Sequence, residues 1–293
     1  SPVNPVAGRS SVFALIGALA LGCSAEVDSY ATDADTASSA HALVTVQRWV
    51  SVDGTAARAD VLAGFVRVPA DVESRPIYEL IGLRSAIPPV GQCRDKNLAP
   101  ESVPSTTGIG QIELLEAGEV WVGAAGTEAT LAPHAFPTVT DQISGVLYAS
   151  RGRSASAFPA ASQYAVRTAG GPSIPSISIT REAPLELDTV TVGGMALGEV
   201  KEIGVGSPID VTWGVGASGD VVIAELATAD RVIACAFRDD MGAGTIPAGR
   251  LDKSGAGRFS LQRIRTASFR THEIDFGELT FQFELGTSVT FKP

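Results

Sequence analysis

Near its end the chain alternates strictly: Leu279, Phe281, Phe283 and Leu285 are apolar, and Thr280, Gln282 and Glu284 between them are polar. A period of two places the apolar side chains on one side of an extended strand and the polar ones on the other, so this segment is stable only in a sheet with one buried face. The spacing predicts a strand over 279–285, a turn at Gly286-Thr287-Ser288 and a second strand over 289–291, which together make a hairpin. Shorter β-type runs punctuated by Gly, Pro and Asp fill the chain from Ala42 onward. Val44, Val46 and Trp49 mark the first, Val61, Phe65, Val66 and Val68 the second, and Ile77, Tyr78, Leu80 and Ile81 the third. Further strands are expected around Ile112-Glu113-Leu114-Leu115, Val120-Trp121-Val122, Val139 to Tyr148, Tyr164-Ala165-Val166 and Ile174 to Ile179, with polar or Pro-flanked loops at Pro100–Pro104 and Pro133–Pro137.

Composition agrees. With 45% apolar and 18% charged residues in 293, the chain is neither a disordered acidic tail nor a coiled coil, and it is long enough to bury a substantial core. A net charge of −10 opposes a phosphate backbone, so no nucleic acid is expected as a partner.

Pro184 opens a fresh and more regular series of strands: Leu185–Val192, Ile209–Trp213, Val221–Leu226, Val232–Phe237, Phe259–Ile264 and the closing hairpin. That number of strands over residues 184–293 suits an immunoglobulin-like sandwich. The expected architecture is therefore all-β, with two tandem β-sandwich domains at 43–183 and 184–293.

The N-terminal region has a different character. Residues 12–22 are uncharged and apolar, too short to span a bilayer, which takes about 20 residues, but suited to the hydrophobic part of an export signal. The run Leu19-Ala20-Leu21-Gly22-Cys23 resembles the bacterial lipobox. That resemblance implies cleavage after Gly22 and diacylation of Cys23, hence a membrane partner through an acyl anchor, and Ser24 after the cysteine implies outer-membrane sorting. Residues 1–23 then form the signal segment. Residues 24–42, mostly Ala, Ser, Thr and Asp, lack the apolar side chains to offset ordering entropy and are expected to form a flexible tether. With Cys23 lipidated, Cys93 and Cys235 are either bridged, which export permits, or two free thiols.

Several patterns resemble chemical motifs. Gly214-Val215-Gly216-Ala217-Ser218-Gly219 is a G-x-G-x-x-G after a strand, and Asp239 falls 20 residues beyond Gly219, where a dinucleotide fold places its ribose acid. The following Val221-Val222-Ile223 favours a strand over the required helix, so the run is expected to be a loop between two antiparallel strands. Ser218 lacks the glycine and helix of a nucleophile elbow. His41, His134 and His272 have no metal-ligand spacing. Asp239-Asp240 and Asp33-Ala34-Asp35 lack the ligand ladder of a calcium loop. Trp213 reads as a core tryptophan, and Arg263 and Arg265 as one face of a solvated edge strand, with an anionic-ligand patch as the alternative.

In Val211-Thr212-Trp213, Asp220–Leu226, Cys235–Asp240, Thr245-Ile246-Pro247-Ala248 and, upstream, Ile143–Tyr148, the chain is similar to uncharacterised envelope lipoproteins of high-GC Gram-negative bacteria. The resemblance implies an outer-membrane or cell-surface location, the periplasmic side included, and immunoglobulin-like sandwich domains. The function expected is a non-catalytic binding or structural module with no cofactor or metal and with an envelope protein or a glycan as partner. A carbohydrate-binding module and a secreted serine hydrolase are the alternatives.

Overall fold

A computed structural model describes residues 38–69, 73–96, 112–139, 143–251 and 254–293. The expected signal segment, Cys23, Asp33, Asp35 and the loop with Pro100 and Pro104 lie outside these residues. Most of the described chain is strand. The first part carries β1 (Ser38–Ser51), β2 (Ala57–Pro69), β3 (Cys93–Asp95), β4 (Ile112–Leu114), β5 (Val120–Ala124) and β6 (Thr127–Val139). β7 (Ile143–Arg153), β8 (Gln163–Thr168) and β9 (Ser178–Glu182) follow, then the short β10 (Thr191–Val192), β11 (Met195–Ala196) and β12 (Glu202–Gly204). The series closes with β13 (Ile209–Thr212), β14 (Val221–Ala227), β15 (Val232–Arg238), β16 (Ala243–Ile246), β17 (Gly255–Phe269) and β18 (Phe276–Lys292).

Two sheets result. Fourteen strands join in the order β3-β15-β14-β17-β18-β1-β2-β4-β7-β6-β5-β8-β9, with β12 beside β18, and a four-stranded sheet runs β11-β10-β13-β16. The ladder crosses residue 184, since β1 lies parallel to β18 from His41↔Phe276 to Ser51↔Gly286. β17 and β18 form one long antiparallel pair from Gly255↔Phe291 to Phe269↔Gly277.

Several sequence expectations need correction. The turn at 286–288 does not form. Gly286 faces Ser260 across the β17 ladder, so every residue there has a backbone partner and the strand runs on to Lys292. Ile77, Tyr78 and Ile81 lie not in a strand but in and just after helix α1 (Ser74–Leu80). Pro76 is tolerated in a first turn, where no intrahelical N–H donor is needed. The i, i+1, i+4 spacing of 77, 78 and 81 turns them onto one buried face, while Leu80 points out. His134 and its flanking prolines belong to β6, because beyond Leu131 that strand pairs only with β7 and a missing N–H breaks no ladder. Of the strand expected over 185–192 only Thr191–Val192 pairs, since before it the Leu185 and Glu186 carbonyls are taken by the Arg263 side chain and the Asp188 carbonyl by the Gly214 N–H. Residues 38–42, expected in the tether, are drawn into β1 by β2 and β18, and Ala42 is buried.

One face of the β17–β18 pair carries two cores. Phe269, Leu279, Phe281 and Phe283 join the first, in which the β18-β1-β2 layer meets β5, β8 and β9 and Tyr164 stands edge-on to Phe281 with ring centres 4.9 Å apart. Phe259, Leu261, Val289 and Phe291 join the second, covered by Val192, Ile209, Val211 and Ile246 of the small sheet. Each buried aromatic or branched side chain contributes about 1.5–3 kcal/mol. On the opposite face α1 covers Leu43, Val66 and Val68. Between Leu261 of the second core and Phe269 of the first, the same face of β17 carries Arg263 and Arg265.

Candidate functional site

Charged side chains are rarely placed between two apolar cores, because leaving water costs several kcal/mol per ion unless every donor finds an acceptor. Arg263, with no exposed surface, has acceptors for both Nη groups and a carboxylate beside its Nε. Its Nε lies 2.8 Å from Asp239 Oδ2, and Nη2 donates to Asp239 Oδ1 at 2.9 Å and to the Gly214 carbonyl. Nη1 donates to the carbonyls of Leu185 and Glu186 at 3.1 and 2.8 Å. Asp239, also without exposure, accepts the Trp213 indole N–H at 2.9 Å. Arg265 repeats the device one pleat along. It binds both oxygens of buried Asp220 at 2.8 Å each and donates to the Ala183 carbonyl at 3.1 Å. The hydrogen bonds to Asp220 hold the Arg265 guanidinium above its ordinary pKa. Residues 183–186, the expected domain junction, are thus fastened to β17 by two arginines.

These arginines are neither a solvated edge nor an anion patch. β17 is an interior strand, flanked by β14 and β18, and both Nη groups of Arg263 are committed to acceptors of the protein itself, with the Asp239 carboxylate beside its Nε. Only the tertiary fold brings the carbonyls and carboxylates to them.

The glycine-rich run is a loop, as expected, but the strands it joins lie in different sheets and do not pair. Its glycines do permit a close approach to a negative group, and that group is the protein's own. A Cβ on Gly216 would collide with the Asp239 carboxylate, and one on Gly214 with Asp188 Oδ1. Asp239, the residue at the ribose-acid spacing, is therefore consumed beneath Gly216. Gly219 meets no such atom. Ser218 is exposed in this loop.

Where the loop, residues 155–161 and the 185–188 connector converge, a cavity of about 640 Å³ opens over the seam. Pro159, Ala160 and Ala161 line it, and Leu185 and Val215 stand 51% and 59% exposed on its walls. Arg48 is committed there, with Nε to the Ala155 carbonyl at 3.3 Å and Nη1 to both Glu186 oxygens at 2.7 and 2.6 Å. Beside the Ser156 hydroxyl, the charged group facing the cavity without an ion pair among the described residues is the exposed Asp188 carboxylate, which accepts the Thr189 hydroxyl at 3.4 Å. An apolar wall beside a carboxylate, with both cations occupied, suits an apolar side chain that carries or adjoins a positive charge.

Other residues singled out from the sequence fall elsewhere. Cys93 and Cys235 face each other across β3 and β15 and are joined by a disulfide, which fastens the three-residue edge strand to the buried sheet. Asp240 is gripped by Arg238 at 2.6 and 3.0 Å, and this hydrogen bonding holds its carboxyl below the usual range. His134 and His272 are exposed on separate elements. His41 is the histidine that meets a serine: Ser39 Oγ lies 2.7 Å from its Nε2, and the Tyr78 hydroxyl meets Nδ1. Burial lowers the His41 pKa against the pull of Asp275, and burial pushes the Tyr78 hydroxyl up to about 12. Sequence reading missed this cluster and the seam residues Arg48, Glu186 and Asp188. Ser39 and His41 at i and i+2 share one strand face, a signal that the tether reading hid. Among the described residues no group of three or more His, Cys, Asp or Glu could hold a metal ion.

No protein-family model matches the chain, and no curated protein matches it.

Proposed function

We propose that this chain is a lipid-anchored cell-envelope protein that acts as a non-catalytic binding module and receives a partner protein at the seam cavity. The observation that supports the reading best is the wall of that cavity: Leu185 and Val215, both more than half exposed, beside about 640 Å³ of space in which the arginines are already engaged and the Asp188 carboxylate has no ion-pair partner among the described residues. Concave, mostly apolar sites with a few converging polar groups are the usual places for ligands. The partner chemistry that fits is an apolar side chain next to a lysine or arginine.

The anchor rests on the lipobox-like run ending at Cys23 and places the module at the outer membrane or cell surface, where tethering raises its effective concentration near other envelope components. In this reading the chain forms two sandwich-like domains, 43–183 and 184–293, the second immunoglobulin-like, with Phe269, Leu279, Phe281 and Phe283 of the second lent to the core of the first and the arginine seam holding the two in register. Palmitate labelling in the native host is expected for the wild type and not for Cys23→Ala; labelling that persists in the variant removes the anchor. Cross-linking in an envelope extract is expected to capture a partner with the wild type and to lose it with Val215→Asp. Equal capture by both would move the contact away from the seam.

A further inference from the structure

A hydroxyl, an imidazole and a phenol fall into line where β1 begins. Ser39 and His41 lie two residues apart on the strand and so share a face, and the register sets His41 between Val66 of β2 and Phe276 of β18. Ser39 Oγ stands 2.7 Å from His41 Nε2, and the Tyr78 hydroxyl, presented by α1, meets Nδ1. Tyr78 is sealed from solvent, while Ser39 and His41 are half-buried.

The distances fix the direction of the protons. A hydroxyl carries one proton, and the acceptors near Ser39 are Nε2 at 2.7 Å and the Val68 carbonyl at 3.5 Å. The second distance exceeds an ordinary O–H···O bond, so the proton goes to Nε2. A neutral imidazole that accepts at Nε2 carries its own proton on Nδ1, where the Tyr78 oxygen accepts it. Ser74 is the hydrogen-bond partner left for the phenol. Burial holds the imidazole below its ordinary pKa and so keeps it neutral near neutral pH. The charges about it are the Asp275 carboxylate, which also accepts the Ala40 N–H at 2.8 Å, and, beside Tyr78, the Arg84–Glu278 pair at 3.5 Å. A hydroxyl held by a neutral base, with the far nitrogen of that base fixed by a third group and a carboxylate to favour the imidazolium, is the arrangement that makes an alcohol nucleophilic.

We propose that Ser39 is an acyl-acceptor site, its hydroxyl activated by His41 and the imidazole held by Tyr78 as a positioning residue, with an activated ester or thioester as donor. The Ser39 oxygen attacks the donor carbonyl while His41 Nε2 takes the hydroxyl proton. The bond from the carbonyl carbon to the leaving oxygen or sulfur then breaks, and Nε2 returns the proton to that atom. An ester forms on the chain, and an alcohol or thiol departs. The acyl group stays on the protein, one per chain, so the step is a modification rather than a turnover, and it does not rest on the seam cavity.

Incubation of the full-length chain with p-nitrophenyl acetate tests this. Peptide mass spectrometry is expected to find an acetyl group on Ser39. Its rate of formation should rise with pH along one titration whose midpoint lies below 6.5, as neutral His41 replaces its imidazolium. His41→Gln is expected to slow acetylation of Ser39 about a hundredfold and to erase the midpoint. Tyr78→Phe, which keeps the ring and removes the oxygen that accepts Nδ1–H, is expected to slow it about tenfold and to lower the midpoint, which a loss of packing alone would not move. Acetyl groups on lysines but not on Ser39, a Ser39 rate without such a midpoint, or one that His41→Gln leaves unchanged would overturn the proposal. An unmoved midpoint in Tyr78→Phe would overturn the part given to Tyr78. The wild-type map and pH profile decide by themselves, so a variant that fails to fold does not spare the proposal.

Discussion

Arg258 and Arg263 leave the same strand on opposite faces and meet opposite fates. Arg258 is 39% exposed, pairs with Glu284 over the Trp49 ring and faces an open groove. Partial burial pulls its guanidinium below the ordinary pKa. Arg263 is sealed between two cores, where a carboxylate and three backbone carbonyls surround it. One side chain type thus serves as a wet rim in one place and as an internal clip in the other. The difference lies in the number of acceptors that converge on the guanidinium, and convergence depends on chain topology.

The sharpest way to break this contrast is to remove one partner on each face. Asp239→Ala leaves the Arg263 charge buried without a counter-ion and is expected to lower unfolding free energy by about 3–5 kcal/mol in urea titration. Glu284→Ala, at a pair that is only half-buried, is expected to cost less, about 1–2 kcal/mol. The double variant Arg263→Met, Asp239→Leu is expected to recover most of the loss, because an apolar pair needs no hydration replaced. If Asp239→Ala proves no worse than Glu284→Ala, the seam pair is not a desolvated clip.

Next in size is the disulfide, which closes a separation of 142 residues at the edge of the second core. Its reduction is expected to cost about 2–4 kcal/mol, read as a lower melting temperature in dithiothreitol. Within the glycine-rich loop, Gly216→Ala should destabilise by about 1–3 kcal/mol through its collision with Asp239, while Gly219→Ala, with open space around it, should stay within about 1 kcal/mol of the wild type. Equal effects at 216 and 219 would show that the loop does not rest on the ion pair.

The smallest expected effect is a pH slope from His41. Its folded pKa lies below the ordinary 6.5, so below that pH the unfolded chain binds more protons than the native one. Its contribution is complete above 6.5 and is lost as pH falls through that value toward the native pKa. Urea midpoints measured from pH 7.5 to 5 should fall, and His41→Phe should flatten that part of the curve.

Much of the architecture was legible in the residues. Alternation at 279–285 marked a sheet face because side-chain direction in a strand has a fixed period of two. Val221-Val222-Ile223 excluded the helix that a dinucleotide fold requires. Trp213 was legible as a core residue, and the structure buries it in the second core. What failed depended on neighbours. Gly286-Thr287-Ser288 is good turn chemistry, yet a full-length partner strand overrode it. Ile77, Tyr78 and Ile81 suit strand or helix, and the exposed apolar face of β1 and β2 settled the matter. Arg263 and Arg265 share a face in either reading, but nothing local says whether that face is wet.

By itself the sequence determined that the chain would build sheets with buried faces, and where most strands would fall. These follow from backbone geometry and side-chain branching within a few residues. Only the tertiary structure decided that β1 would lie parallel to β18, that Asp239 would sit beneath Gly216, and that two arginines would clip residues 183–186. A buried charge is tolerable only where acceptors from distant segments arrive together, and pairing order, which no local pattern encodes, brings them there.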